Sequence, residues 1–478
     1  TTTIGSLVHT IDGTYTLTAS AAGLRDTTST AYTISTFVYV TGDYRPKYDY
    51  DDFSINNTAG MTDSWEYYNG STWTTTPGDK SPENASTTPT RIIIDHIVYG
   101  AGSTTHKYND IIIQAGGELI LNDLDNPPVA SEFINASKKI EVLNGGKLTI
   151  EGDIDLPSSG NLIIRSGGEF VINLASMVNN HPMWDGIELF EGGSTVTIKD
   201  WSFSSAATVA SLINVSTTIA NNANGWKFGN LVYDVNTGTN NWSVIGGGIG
   251  IINLTENNFK ITNAAAPQYY ITGATNKTGT NGFVVNDSLI INNGSFAFGS
   301  SYSNDPFSHQ FTVNGHFVNN SDDTLRTHFI GTSNPSSLTG FVNFKKNVTI
   351  ANTVKLFASY KATDNTVVGI NLNGTGTPVQ ELTIYPNVVA VPITVKSNAS
   401  VLQKLTDITV NSLTSVISAF TIEKNSTYNF GFDNAGTTAL VIKLAGSSAG
   451  TSKFISDSLC TLKITHMNGL SNSTAFSA

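Results

Sequence analysis

One phrase recurs in this sequence and constrains its fold more than any other: two adjacent glycines, one further residue, then alternating apolar side chains. It appears at Gly116-Gly117-Glu118-Leu119-Ile120-Leu121, Gly145-Gly146-Lys147-Leu148-Thr149-Ile150, Gly167-Gly168-Glu169-Phe170-Val171-Ile172 and Gly192-Gly193-Ser194-Thr195-Val196-Thr197-Ile198. The first glycines stand 29, 22 and 25 residues apart. A fixed period of roughly 20 to 30 residues is that of a stacked repeat, here one coil of a parallel β-helix. Glycine and asparagine accept the positive φ that a tight corner demands, because neither suffers the full Cβ clash. The short strand after each corner points alternate side chains into a common core, where each buried Ile, Leu, Val or Phe contributes roughly 1.5 to 3 kcal/mol. The alternation has period two, so a helix of period 3.6 does not fit it.

In the second half the rungs lengthen and lose their regularity, as in Gly282 to Gly299, Phe311 to Phe317, Gly340 to Ile350, Leu382 to Val395 and Phe420 to Phe432. Phe, Ile and Val still alternate with Asn, Thr and Ser. Asn and Thr at equivalent rungs are expected to form ladders of side-chain hydrogen bonds. Only 13% of residues are charged, against about 25% in an average soluble domain. Surface helices need charged, straight-chain residues on their wet face, whereas Thr and Val suit strands and Asn and Gly suit turns. The expectation is an all-β chain: a right-handed parallel β-helix over 91–478, rising about 5 Å per coil into a rod on the order of 70 Å.

Charge and cysteine content narrow the function classes. The net charge is -12 and the 25 basic residues are scattered, so no basic stripe is set out for nucleic-acid phosphates. Cys460 is the single cysteine, which leaves no disulfide within the chain. No run approaches the ~20 apolar residues that span a bilayer; the longest, glycine-softened stretch is Val244 to Ile252. Thr1 opens without a basic or apolar leader and already reads as mid-domain. Ala478 closes without a recognisable cap or anchor, so a piece of a larger protein is expected.

Upstream of the coils the pattern changes twice. Thr14 to Ala19 and Thr30 to Ile34 alternate polar and apolar residues around Ala21 to Gly23, a hairpin of period two. Two strands bury no core alone, so 1–40 is expected to be the closing part of a β-sandwich. The segment GTYTLTASAAGL followed by TSTAYTI resembles the last strands of bacterial immunoglobulin-like repeats. Residues 41–90 are rich in Tyr, Trp, Asp and Pro, with Trp65, Tyr67, Tyr68 and Trp73 close together. Aromatics at this density plug the open end of a sheet structure or line a carbohydrate site, so this segment is an aromatic linker or N-terminal cap.

Tyr44-Arg45, the run Ser64-Trp65-Glu66-Tyr67-Tyr68-Asn69-Gly70-Ser71-Thr72-Trp73, Pro89-Thr90 and the Gly-Gly rungs together resemble exported proteins of Bacteroidetes-type bacteria that leave by the type IX secretion route. The likeness is good over about residues 1–200 and loose beyond. It implies a secreted, adhesin-like or gliding-motility cell-surface protein of a Gram-negative bacterium, with immunoglobulin-like repeats upstream. Its partners would be a polysaccharide or cell-surface ligand and, through a C-terminal sorting domain absent from this sequence, the secretion machinery. The same bacterial group O-glycosylates Asp-Ser/Thr-apolar triplets, which here would place glycans on Thr27, Ser288, Thr324 and Ser458.

Other residues carry candidate chemistry beside blander readings. Asp49, Asp51 and Asp52 form the densest carboxylate cluster; calcium is the cation such oxygens take, and solvated turn carboxylates are the commoner explanation. The eight histidines show no zinc spacing. Trp65, Trp73 and Trp184 are candidate sugar platforms, or core cover. The enzymatic alternative is a β-helical polysaccharide lyase or glycoside hydrolase. A lyase needs a base and a cation against the uronate carboxylate, and Lys138, Lys139, Lys147, Arg165, Asp153 and Asp155 lie on consecutive coils. No lyase signature surrounds them, and fold analogy alone does not license that function. A phage tailspike is disfavoured by the immunoglobulin-like entry. The expected protein is therefore a non-enzymatic rigid stalk or adhesin segment without a required cofactor.

Overall fold

The computed structural model describes residues 37–49, 65–75, 91–101, 110–122, 139–151, 162–177, 188–203, 228–235, 251–264, 279–294, 307–321, 339–351, 368–385, 392–412, 419–431, 440, 442–446 and 453–464, together with short strands elsewhere. Among the described residues the regular structure is all β. A fifteen-stranded sheet runs from Asp51–Asp52 to Thr461–Ile464, and its strands are parallel throughout. We call it the long sheet. From Arg91 onward consecutive described strands belong to different sheets, except Thr195–Phe203 and Asn230–Val235, which adjoin in the long sheet; the chain thus leaves the long sheet and returns one position further along at every coil. That is the topology of a parallel solenoid.

Each early coil contributes one strand to each of two large sheets, and two of these coils add a short third strand, Glu132–Phe133 paired parallel with Ile154–Asp155. Arg91–Ile94, Asp110–Ile113, Lys139–Val142, Leu162–Ile164 and Glu188–Phe190 form most of an eight-stranded N-terminal side sheet. Their partners in the long sheet include Glu118–Asn122, Lys147–Ile150 and Glu169–Met177. The N-terminal side sheet ends at Glu188–Phe190. Its line passes through Phe228, whose ring lies 5.1 Å from that of Phe190 and whose backbone bridges Thr255. Thr255 belongs to a second eight-stranded side sheet, and a nine-stranded third sheet begins at Trp242–Ser243. Coils from Ile251 onward therefore have three strands each, as in Ile251–Thr255, Phe259–Ala264 and Tyr269–Ile271. This third strand accounts for the longer, less regular rungs of the second half.

Register turns sequence alternation into columns. Val98 pairs with Leu119, Leu119 with Leu148 and Leu148 with Phe170, and the same inward column continues through Phe317 and Val348 to Leu382. Every residue named in that column is at most 1% exposed. The neighbouring column runs through Ile150, Ile172, Ile198 and Ile291, and at one rung it holds Asn319. Asn319 is fully buried; its Oδ1 accepts the Ser321 N–H at 2.9 Å, while Nδ2 has no hydrogen-bond partner among the described residues. The pairing then brings Gln380 over Val401 and Tyr428. Gln380 is satisfied on both sides: its Nε2 donates to the carbonyls of Phe344 and Lys346, and its Oε1 accepts the Gly374 N–H.

One corner repeats along the molecule. Gly117 N donates to Gln114 O, Gly146 N to Leu143 O, Gly168 N to Arg165 O, and Ser194 N to Glu191 O. The same bond closes Lys396 to Ala399, Glu423 to Ser426 and Asp457 to Cys460. The third residue has positive φ at Gly116, Gly145, Gly167, Gly193, Asn398 and Asn425, the requirement of a type II turn. The structural equivalent of Gly167 is thus Gly193, not Gly192, and Ser194 stands where earlier coils have their second glycine. The repeat is one residue longer there than the first-glycine spacing indicates.

Near the start, Gly13–Tyr15 pairs antiparallel with Tyr32–Ile34, and Thr18–Ala19 with Thr27–Thr28. Tyr44–Pro46, Trp65–Tyr68 and Trp73–Thr75 then extend the N-terminal side sheet, with antiparallel pairing between the second and each of its neighbours.

Candidate functional site

The N-terminal side sheet presents one continuous outer face, and strand alternation decides which aromatics reach it. Trp65 and Tyr67 share a side of their strand with Tyr44, whereas Glu66 and Tyr68 share the other with Arg45. Trp65 and Tyr44 are 3% and 6% exposed and belong to the same apolar cluster as Ile92 and Val98. A ring buried to that degree offers no platform to a sugar, so Trp65 is core cover. Trp73 pairs with Tyr68 on the outer side and is only half-buried. Its ring packs 5.3 Å from Tyr68 and 5.0 Å, edge-on, from Tyr39. The Arg45 guanidinium lies 4.4 Å from the Trp73 ring centre, a cation–π contact. Arg45 is held by two bonds to Glu66, at 2.9 and 2.8 Å, and lies 3.6 Å from Asp95.

The base of this cluster is pinned by a buried charge pair. Asp43 is fully buried and takes Arg91 Nε at 2.9 Å and Nη2 at 2.5 Å, together with the Val40 N–H at 2.8 Å. Arg91 also donates to the Val38 carbonyl and lies 5.0 Å from the Phe37 ring. A buried bidentate pair fixes geometry because a carboxylate left alone there would be costly. The result is a rigid polar-aromatic surface: rings whose faces suit sugar C–H groups, beside fixed hydrogen-bonding groups.

Further along the same face lie two of the lyase candidates, already engaged. Glu141 accepts Lys139 Nζ at 2.7 Å and Arg165 Nε at 2.6 Å, while Arg165 Nη1 reaches Glu191 at 2.5 Å. Burial alone would raise the Glu141 pKa, but bonds from Lys139 and Arg165 outweigh it and hold the carboxyl below the usual glutamate value. Bonds to Glu191 and Glu141 push the Arg165 guanidinium still further from losing its proton. Arg165 is therefore unsuited to act as a base, and Lys139 shares its carboxylate with it. Lys147 pairs with Glu118 at 3.0 Å on the long sheet, so it does not join them. Lys138 and Asp153 lie outside the described residues, as does the side chain of Asp155.

The remaining candidates are dispersed. Asp49 Oδ1 accepts the Ile97 N–H at 3.0 Å, an edge cap for the long sheet. Asp51–Asp52 is the first strand of that sheet, with side chains outside the described residues. Among the described residues no three His, Cys, Asp or Glu side chains gather as metal ligands. Trp184 lies outside the described residues. Ser288 is 9% exposed; its Oγ donates to Asp287 at 3.1 Å and accepts the His316 N–H at 3.2 Å. That hydroxyl is enclosed in the folded protein. Ser458 is exposed on a corner beside Leu459, itself 62% exposed. The side chains of Thr27 and Thr324 lie outside the described residues. The outer-face members not named as site candidates from the sequence include Tyr39, Arg45 and Glu141; for Arg45, paired with Glu66, the alternation Trp65-Glu66-Tyr67-Tyr68 was the available signal.

No protein-family model, curated protein or solved structure matches this chain. No helix of the described residues is long and apolar enough to cross a membrane.

Proposed function

We propose that this is a non-enzymatic, secreted cell-surface protein: the rigid, right-handed β-helical segment of a larger adhesin or stalk, following an immunoglobulin-like repeat. It acts by displaying fixed surfaces along a stiff rod and by attaching to glycans or to another surface. Export by the type IX route of a Gram-negative bacterium is the delivery that its sequence resemblance favours. The observation that carries the reading is the unbroken fifteen-stranded parallel sheet, because continuous hydrogen-bond ladders resist bending and keep distant faces in register. The fate of Lys139 and Arg165 supports it further, since both are bound to Glu141.

The test is to incubate the purified chain with a panel of acidic and neutral polysaccharides. Unsaturated products are followed by ultraviolet absorbance and new reducing ends by a colour reaction, with binding measured in parallel. Binding without turnover is expected. Release of either product at a rate above the buffer control would replace the adhesin reading with that of a lyase or hydrolase.

A further inference from the structure

The charge of this chain is polarised along its length. Residues 345–478 hold 10 Lys and 6 Asp or Glu, whereas the whole chain holds 25 Lys and Arg against 37 Asp and Glu. The C-terminal coils are thus basic in an acidic protein. Several of these lysines fall on the one corner that repeats along the molecule. Lys345 and Lys346 follow the strand Thr339–Phe344 as it turns toward the long sheet. Lys396 opens the turn two coils later, and Lys424 is the second residue of the turn one coil further on. Register stacks these corners directly: Phe344 pairs with Leu372, Leu372 with Val395 and Val395 with Ile422. At about 4.8 Å per coil, Lys346 and Lys424 stand roughly 14 Å apart along the axis.

The lysines differ in whether their charge is already used. Lys396 binds Glu423, and Lys404, on the adjoining long sheet, binds Glu381 at 2.9 Å. Lys345, Lys346 and Lys424 are exposed, and among the described residues no carboxylate pairs with them. Their backbones are nevertheless fixed. The Lys346 carbonyl takes Nε2 of the buried Gln380 at 2.7 Å, Lys345 N donates to Val313 O at 3.1 Å, and the turn around Lys424 is closed by Ser426 N to Glu423 O at 3.3 Å. Unneutralised cations held on rigid turns at two levels of one axis, the pair Lys345 and Lys346 and, three coils on, Lys424, complement an extended chain whose negative charges repeat along its length.

We infer that this C-terminal corner, through Lys345, Lys346 and Lys424, binds a linear acidic polysaccharide lying along the solenoid axis. The inference deepens the attachment reading above and rests on it, by naming the ligand class and the place. Lysine suits such a ligand because its ammonium is a point charge with three rotatable donors, which tolerates the varied geometry of carboxylate or sulfate groups on sugars.

Polygalacturonate is titrated over the immobilised chain at low and high salt, with neutral dextran and double-stranded DNA as comparisons. The native protein is expected to bind polygalacturonate, to lose affinity as salt screens the charges, and to bind dextran and DNA at least about tenfold more weakly. The triple variant K345E/K346E/K424E is expected to weaken polygalacturonate binding about tenfold or more, while K199E/K260E, at exposed lysines away from this corner, changes it less than about twofold. Circular dichroism of both variants confirms that the fold is kept. Equal polygalacturonate affinity in native and triple variant, absence of native binding, or equally tight DNA binding would each overturn the inference. Native binding to dextran that survives in the triple variant would overturn the lysine site while leaving glycan attachment intact; absence of binding to every polysaccharide would remove both.

Discussion

At the corners of Gly116-Gly117, Gly145-Gly146 and Gly167-Gly168 the two adjacent glycines answer different constraints. Gly116 has φ of +84° and open space where a Cβ would stand, whereas a Cβ on Gly117 would sit 2.2 Å from the carbonyl oxygen of Ile94. The first position needs a permissive backbone and the second needs no side chain at all. Gly116→Ala is expected to cost about 1 to 2 kcal/mol through left-handed strain. Gly117→Ala must displace backbone of the preceding coil and is expected to cost about 3 kcal/mol or more. Urea denaturation of both variants checks the order, and equal midpoints would refute the division of roles. The same logic explains what the sequence showed and hid. Gly-Gly marks the early corners because both constraints are met by glycine. Later corners meet the first constraint with Asn398 or Asn425 and place Ala399 or Ser426 at the second position, where a Cβ is tolerated, and that combination does not stand out in a chain rich in Asn and Ser. Trp65 and Trp73 likewise look equivalent as residues; only the phase of the strand separates the buried ring from the outer one.

Between coils, one arrangement of side chains occurs twice at the corner. Glu191 accepts Arg165 with one carboxylate oxygen and the Ser166 N–H with the other; Glu423 does the same with Lys396 and the Ser397 N–H. A basic residue followed by Ser, then Glu at the same corner position one coil later, fastens adjacent turns. Burial would raise the Glu423 pKa, but the bonds from Lys396 and Ser397 outweigh it and lower the value, as those from Lys139 and Arg165 do for Glu141. A carboxyl depressed in the folded state adds stability that is fully present above its unfolded value, and loses it as pH falls through the folded value. The native chain should therefore lose thermal stability as pH drops below the ordinary glutamate value of 4.5. The double variant E141Q/E423Q should start lower at neutral pH and decline less over that window. An unchanged acid limb, read from melting midpoints across the pH series, would remove the clamps from the account. Glu141→Ala by itself strips the shared acceptor from Lys139 and Arg165 and is expected to cost roughly 1 to 3 kcal/mol in denaturant titration, between surface and buried pairs. These pairings were not visible beforehand, because the sequence shows which coil a charge occupies but not which neighbour it meets.

Over the whole molecule, the parallel coil was legible from four Gly-Gly phrases because a repeat that cannot bury its own apolar face has to stack on copies of itself. The growth of the third side from one short pair, Glu132–Phe133 with Ile154–Asp155, to a nine-stranded sheet was not, since masses of Thr and Asn between rungs suit loop and strand alike. Fifteen strands at about 4.8 Å make the long sheet roughly 67 Å from edge to edge, and each coil is stabilised mainly by the coils directly above and below it. Unequal stability along the axis follows. Ser400–Gln403 and Thr427–Phe430 are paired on both sides, with Val401, Tyr428 and Phe430 fully buried. Among the described residues Thr461–Ile464 is paired on one side only, at the edge of the long sheet, and Leu462 is 38% exposed. Its neighbour Lys453–Ser456 is likewise at an edge, with Ile455 46% exposed, although Phe454 stacks on Phe420 at 6.0 Å. A strand with one partner opens without disturbing the rest, whereas opening an interior strand breaks two ladders and uncovers the core. Amide hydrogen exchange should therefore be at least about tenfold faster at Thr461–Ile464 than at Ser400–Gln403, with protection rising coil by coil toward the interior. Uniform protection up to the edge would mean that the coils unfold as a single cooperative block, and the nearest-neighbour description of this solenoid would fail.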